Sequence, residues 1–252
     1  MRKFLAICLF LFTLPAYGQE DVVAGLSQNR VSINATFIGS EILIFGAVKR
    51  ETPAPDTGKL EVVVVVEGPS SPITVRKKEK RYGIWINTES VAVEAAPSFY
   101  AVASTGPLDQ VITEAQDQKY HITIPQEIRL AAGDEDLAEF AEAVIRIRTR
   151  AGLYSIEEGG VTLSEDTLFN TSISLPSNLT EGDYRTRIYL TRAGEVIADY
   201  ETDITVRKVG LERWIYTLAH EKPLVYGIMA LIIAIAAGWG ASGIFRLILR
   251  KA

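Results

Sequence analysis

Apolar and polar positions alternate along most of this chain, and a period of two predicts half-buried strands rather than helices. Val31, Ile33, Ala35 and Phe37 alternate with Ser32, Asn34 and Thr36. Gly39-Ser40 reads as a turn. Ile42–Val48 is then almost free of polar side chains, which predicts a strand covered on both faces. Thr52–Lys59, with Pro53, Pro55 and Gly58, is a loop by composition. Leu60–Val66 holds five successive valines, whose branched Cβ atoms crowd a helix and suit a central strand. Further strands are predicted from Ile73, over Ile84–Asn87 and Phe99–Ala103, and at Leu168–Leu175, Asp183–Thr191 and Glu195–Lys208. Arg192-Ala193-Gly194 is short enough to close a hairpin between the last two.

The period changes in three places. After Asp134-Glu135-Asp136, the positions Leu137, Phe140, Ala141, Val144 and Ile145 fall on one face of an amphipathic helix over about 135–150. Acids at its start and Arg146, Arg148 and Arg150 at its end suit the helix dipole. Leu224–Phe245 carries no charge and is long enough to cross a bilayer, which takes about 20 apolar residues. At the other end, Arg2 and Lys3 precede the apolar run Phe4–Leu14 and the small-residue triplet Ala16-Tyr17-Gly18, the layout of a secretory signal peptide cleaved after Gly18.

These patterns predict a mainly β fold: two immunoglobulin-like β-sandwich lobes bridged by an amphipathic helix, with one C-terminal transmembrane helix. The expected divisions are a signal peptide at 1–18, a first lobe at 19–110, and a connecting region at 111–155. A second lobe at 156–208, a juxtamembrane segment at 209–223, the span at 224–247 and a tail at 248–252 follow.

Charge orients the chain. Of 26 Lys and Arg, two lie in the leader and three, Arg246, Arg250 and Lys251, lie beyond the apolar stretch, leaving 21 against all 31 acids. The basic tail marks the cytoplasmic end, so the acidic domain is expected on the outer side. An acidic domain argues against nucleic acid or anionic lipid as its main partner. Trp214 and Tyr216 are expected as interfacial anchors. Ala230, Ala234, Gly238 and Ser242 recur every fourth residue and form a small-residue stripe, a candidate helix–helix interface in lipid.

Candidate chemistry is sparse. The only cysteine, Cys8, lies in the leader, so the mature chain is expected to fold without a disulfide. The two histidines, His121 and His220, are far apart, and no catalytic, nucleotide-binding or metal-binding motif is present. No catalytic residue, metal or cofactor is therefore expected. The acids at 134–136 are read as dipole partners rather than a cation site. The basic run Arg76-Lys77-Lys78-Glu79-Lys80-Arg81 is read as a solvated hairpin tip, and Trp85 as a core plug.

Phe45-Gly46-Ala47, Arg76-Lys77-Lys78, Gly83-Ile84-Trp85-Ile86-Asn87, Ser98-Phe99-Tyr100-Ala101-Val102, Leu175-Pro176 and Gly182-Asp183-Tyr184, in this order and with the single C-terminal span, resemble the uncharacterised family of alphaproteobacterial transmembrane proteins. The resemblance covers nearly all of the mature chain and brings no activity or functional residues. It implies a bacterial inner-membrane protein with its domain in the periplasm, and it points to an integral membrane partner such as a sulfite-exporter-type permease. The expected function is that of a binding, scaffold or transporter-accessory component of the cell envelope, not an enzyme. The alternative is a membrane-tethered, carboxylate-dependent periplasmic hydrolase.

Overall fold

The structure, a computed structural model, describes residues 20–34, 36–50, 58–130 and 137–249. The leader, most of the proline-containing loop, the acids at 134–136, and Arg250 and Lys251 lie outside the described residues.

The strands form three sheets. A four-stranded sheet takes β1 (Glu20–Leu26), β3 (Ser40–Arg50), β11 (Leu168–Leu175) and β10 (Thr162–Ser164), in that order. A six-stranded sheet takes β2 (Arg30–Ile33), β13 (Glu195–Lys208), β12 (Gly182–Arg192), β4 (Leu60–Glu67), β7 (Tyr100–Ser104) and β9 (Tyr154–Glu158). The third joins the long hairpin β5 (Ser70–Arg81) and β6 (Ile84–Pro97) to β8 (Arg129–Leu130).

The valine run of β4 shows why the six-stranded sheet is central. All five valines are buried, and successive side chains of a strand point to opposite faces. Val62, Val64 and Val66, with Ala101 and Ile188, occupy one face, while the four-stranded sheet buries Ile42, Ile44, Phe169 and Ile173. β11 of that sheet packs against β7 of the central one. Val63, Val65, Tyr100, Val102 and Tyr189 occupy the opposite face and form one cluster with Val93 and Ala96 of β6 and with helical residues. The helices are α1 (Leu108–Val111), α2 (Glu114–Tyr120), α3 (Ile124–Glu127) and α4 (Leu137–Arg150). They lie in the crossover between β7 and β9, which pair in parallel, a connection that two adjacent strands cannot make with a short turn.

The mainly β fold with one C-terminal apolar helix is as the pattern predicts. The two segments expected as lobes instead share both sheets. β3 pairs with β11 from Ser40↔Leu175 to Ala47↔Leu168, and β4 pairs with β12 from Leu60↔Arg192 to Glu67↔Arg185. Strands of each segment thus complete the sheets of the other, and one compact unit takes in residues up to Val31 and Ile38–Thr205. The amphipathic helix is present as α4, with Phe140 and Val144 buried. The predicted hairpin turn is also present: Ala193 and Gly194 have φ of 51° and 83°, the left-handed pair that a two-residue hairpin turn requires.

The second unit comprises Ser32–Phe37 and Val206–Ala252. Its helices are α5 (Leu211–Glu221) and α6 (Pro223–Leu249), separated at Lys222. Pro223 opens α6, where its missing N–H costs no helical hydrogen bond. The stretch Pro223–Ser242 is long and apolar enough to cross a membrane.

Candidate interaction surfaces and the membrane helix

The four-stranded sheet buries one face and leaves the other bare. Strand alternation sets Asp21, Val23 and Gly25 of β1 on the bare face with Glu41, Leu43, Phe45, Ala47 and Lys49 of β3 and with Leu168, Asn170 and Ser172 of β11. In register, Val23, Ala47 and Leu168 form one row, and Gly25, Phe45 and Asn170 the next. Phe45 is 46% exposed and Leu168 57%. This corrects the expectation that Ile42–Val48 is covered on both sides: the run is apolar throughout, yet only Ile42, Ile44, Gly46 and Val48 face the core. The Phe45 ring lies over Gly25, where a Cβ would come within 3.2 Å of it. The glycine gives the ring a flat seat.

A second exposed feature is the hairpin of β5 and β6. Its turn is Tyr82-Gly83, with φ of 51° and 86°, and nothing lies within 4 Å of where a Gly83 side chain would start. The basic run does sit on a solvated hairpin. Trp85 is not the core plug expected of it: it is 67% exposed, beside exposed Ile84 and Tyr82. A tryptophan in a strand is buried only where another layer reaches it, and β6 meets the core only nearer its other end, through Val93 and Ala96.

Ionised groups inside the body are tied to one another. Arg187 of β12 is nearly buried on the helical face of the central sheet. Its guanidinium donates to the Tyr100 hydroxyl (3.0 Å) and to the carbonyls of Tyr120 (3.0 Å) and His121 (3.3 Å). It lies 3.3 Å from Glu67 and 3.5 Å from Glu127. Burial acts to lower the Arg187 pKa, but Tyr100, Tyr189 and the two glutamates outweigh it and keep the group charged. Burial pushes the Tyr100 hydroxyl far above its ordinary value and the Tyr154 hydroxyl up to about 12, so both remain neutral donors. Glu67 and Glu127 thus share one arginine.

Glu20 forms the other cluster. Its carboxylate accepts from Arg192 at 2.9 Å and from Arg50 at 2.5 Å, joining β1 to β3 and β12. Desolvation acts to raise the Glu20 pKa, but the bonds from Arg192 and Arg50 prevail and hold it below the usual 4.5. The folded value is thus below the unfolded one. The stabilisation is fully present above about pH 4.5 and is lost as pH falls through the folded pKa. Thermal melts across pH 3–6 should therefore show a steeper acid loss for the natural chain than for Glu20→Gln; parallel curves would remove Glu20 from the acid response.

The acids near α1 and α2 line a surface hollow: Asp109, Glu114 and Asp117, with Leu108, Ile112 and Thr123. Asp117 is already committed, since its carboxylate accepts from the Ile122 and Thr123 N–H groups at 3.1 and 2.7 Å and from the Thr123 hydroxyl at 2.7 Å. His121 is a loop residue at the end of α2, in the left-handed conformation, with its Nδ1 2.9 Å from the Gln126 carbonyl. His220 stacks on Tyr216 at 4.0 Å. Among the described residues no group of three His, Cys, Asp or Glu could hold a metal ion.

In α5, Trp214 and Tyr216 are both exposed. In α6, Ala230, Ala234, Gly238 and Ser242 follow one another at one-turn spacing and are all exposed, and a Cβ on Gly238 would meet open space. Arg246 lies within α6, while Arg250 and Lys251 lie outside the described residues.

Sequence reasoning missed both the bare sheet face and Arg187. A signal for the second existed: an arginine sits in mid-strand beside Tyr189, in a strand paired to the valine run, where both faces must be covered. The bare face left no signal, because Leu43 and Phe45 look like the core residues between them.

A family model described as "Putative transmembrane protein (Alph_Pro_TM)" matches residues 21–247. No curated protein matches the sequence. Among solved structures, the crystal structure of BslA, a bacterial hydrophobin, is similar at 12% identity and a TM-score of 0.22, over 76% of this chain and 98% of that one. The crystal structure of dimeric latent PorU from Porphyromonas gingivalis is similar at 10% identity and a TM-score of 0.16, over 77% of this chain and 24% of that one. At such scores neither likeness carries an argument about fold or function.

Proposed function

The chain belongs to this family of transmembrane proteins, and on that premise we propose that it is a single-pass, membrane-anchored β protein that binds or scaffolds another component of the cell envelope. On this reading it is not an enzyme. Its leader is removed, its β body lies in the periplasm, its C-terminus is cytoplasmic, and α6 holds it in the inner membrane. The transporter-accessory version adds a role for the small-residue stripe, which lets a partner helix approach closely in lipid.

The observation that carries the reading is the bare face of the four-stranded sheet. Val23, Leu43, Phe45 and Leu168 are exposed, with uncharged Asn170 and Ser172 beside them and Asp21, Glu41 and Lys49 toward the ends of the strands. An apolar centre with a polar rim is the anatomy of a protein–protein interface, and a rigidly seated aromatic is its usual anchor. A photo-crosslinking residue at Leu43 should give a discrete product in native membranes. Phe45→Glu should weaken it by roughly thirtyfold, the loss expected for a hot spot of about 2 kcal/mol. The melting temperature should not change, since Phe45 is outside the core. A product indifferent to Phe45→Glu, or none at all, would sink the proposal.

A further inference from the structure

We infer that the outward face of the β5–β6 hairpin is a docking site for anionic phospholipid, with Trp85 seated at headgroup level. The inference rests on the chain's being anchored in a bilayer but not on the sheet face having a partner.

Cross-strand register sorts the hairpin into two faces. Lys80 is opposite Trp85 and Lys78 opposite Asn87, while Glu79 is opposite Ile86 and Arg81 opposite Ile84. Strand alternation adds Arg76 to the face of Lys78 and Lys80. Glu79 and Glu89 lie on the other side. Glu79 pairs with Arg81 at 3.1 Å, and Lys77, opposite Glu89, pairs with Glu139 of α4 at 3.0 Å. Over residues 76–81 and 84–90 the outward face therefore presents Arg76, Lys78, Lys80 and Trp85 with no carboxylate among them, and the described residues show no ion pair to those three cations.

A solvated charge run needs no tryptophan. The pairing of a cationic row with an exposed indole, next to a fully exposed tyrosine and an exposed isoleucine at the turn, matches the chemistry of a bilayer interface. The net negative charge of the body does not oppose this, because screening reduces its field over about 8 Å at physiological ionic strength. An anchored chain also meets the bilayer at high effective concentration, so weak hairpin contacts suffice. A basic residue near an anionic surface is worth roughly fivefold in binding, so three together are worth about a hundredfold.

The test uses the full chain in nanodiscs of phosphatidylcholine with or without phosphatidylglycerol. Trp214→Phe with Trp239→Phe leaves Trp85 as the only tryptophan. Its emission should shift to the blue, and brominated lipid should quench it, in the anionic discs but not in the neutral ones. High salt should reverse the effect, as should Arg76→Gln, Lys78→Gln and Lys80→Gln together, with the thermal midpoint unchanged. Equal emission in both discs, or quenching that survives the triple substitution, would overturn the inference. Quenching that needs an added membrane extract would overturn it too, assigning the hairpin to a protein partner. Loss of crosslinking at Leu43 with quenching intact would count only against the sheet-face reading.

Discussion

Arg187→Met should be among the most damaging single substitutions in the β body. Met matches the length of the arginine stem, but it leaves Glu67 and Glu127 near-buried without the cation they share, and it withdraws the donor to Tyr100 and to two backbone carbonyls. Removing one partner of a buried ionic cluster costs about 3–5 kcal/mol. For a domain of this size roughly 2–4 °C is lost per kcal/mol, so the midpoint of a circular dichroism melt should fall by about 6–20 °C. Adding Glu67→Gln and Glu127→Gln should restore part of the loss, because it removes the negative charge that Arg187 offset, though not the lost hydrogen bonds. A drop of under about 2 °C for Arg187→Met would mean that water already satisfies these groups.

How much of this could be read beforehand follows from the range of each signal. The strands at β4, β11, β12 and β13, the helix α4 and the apolar helix α6 are local patterns of period two or 3.6, and each lies where the sequence places it. Sheet partners are non-local. That β3 joins β11 and β4 joins β12 depends on which edges remain free after collapse, and no residue announces it. The short helices α1 to α3 were missed for a related reason. They are four to seven residues long, too short for a helical period, and they are held by the core cluster through Leu108, Val111, Ile122 and Ile124. Trp85 and Phe45 show the same limit at the level of a site: residue type reports that a side chain would gain by burial, not whether another layer arrives to cover it.

Gly46→Ala should destabilise the sandwich through a clash that its binding face does not reveal. Gly46 is opposite Phe169 in the β3–β11 register and faces inward. A Cβ there would fall well inside contact distance of the Phe169 ring, and 2.7 Å from the Val23 carbonyl oxygen. Phe169 is fully buried between the sheets and cannot swing out, so the added methyl forces either the ring or strand β1 to move. Overpacking of this kind costs about 1–3 kcal/mol. Phe169→Ala alone should cost about 3–5 kcal/mol, because it leaves a cavity in the core. The two should not add. In the double variant the alanine methyl at 46 occupies space that the ring has vacated, so the combined loss should fall short of the sum by about 1 kcal/mol or more. Urea unfolding of the four members of the cycle, with the full chain held in one detergent, measures this directly. A strictly additive cycle would mean that the ring is not what excludes a side chain at 46, leaving the Val23 carbonyl, and with it the spacing of β1 from β3, as the constraint that keeps glycine there.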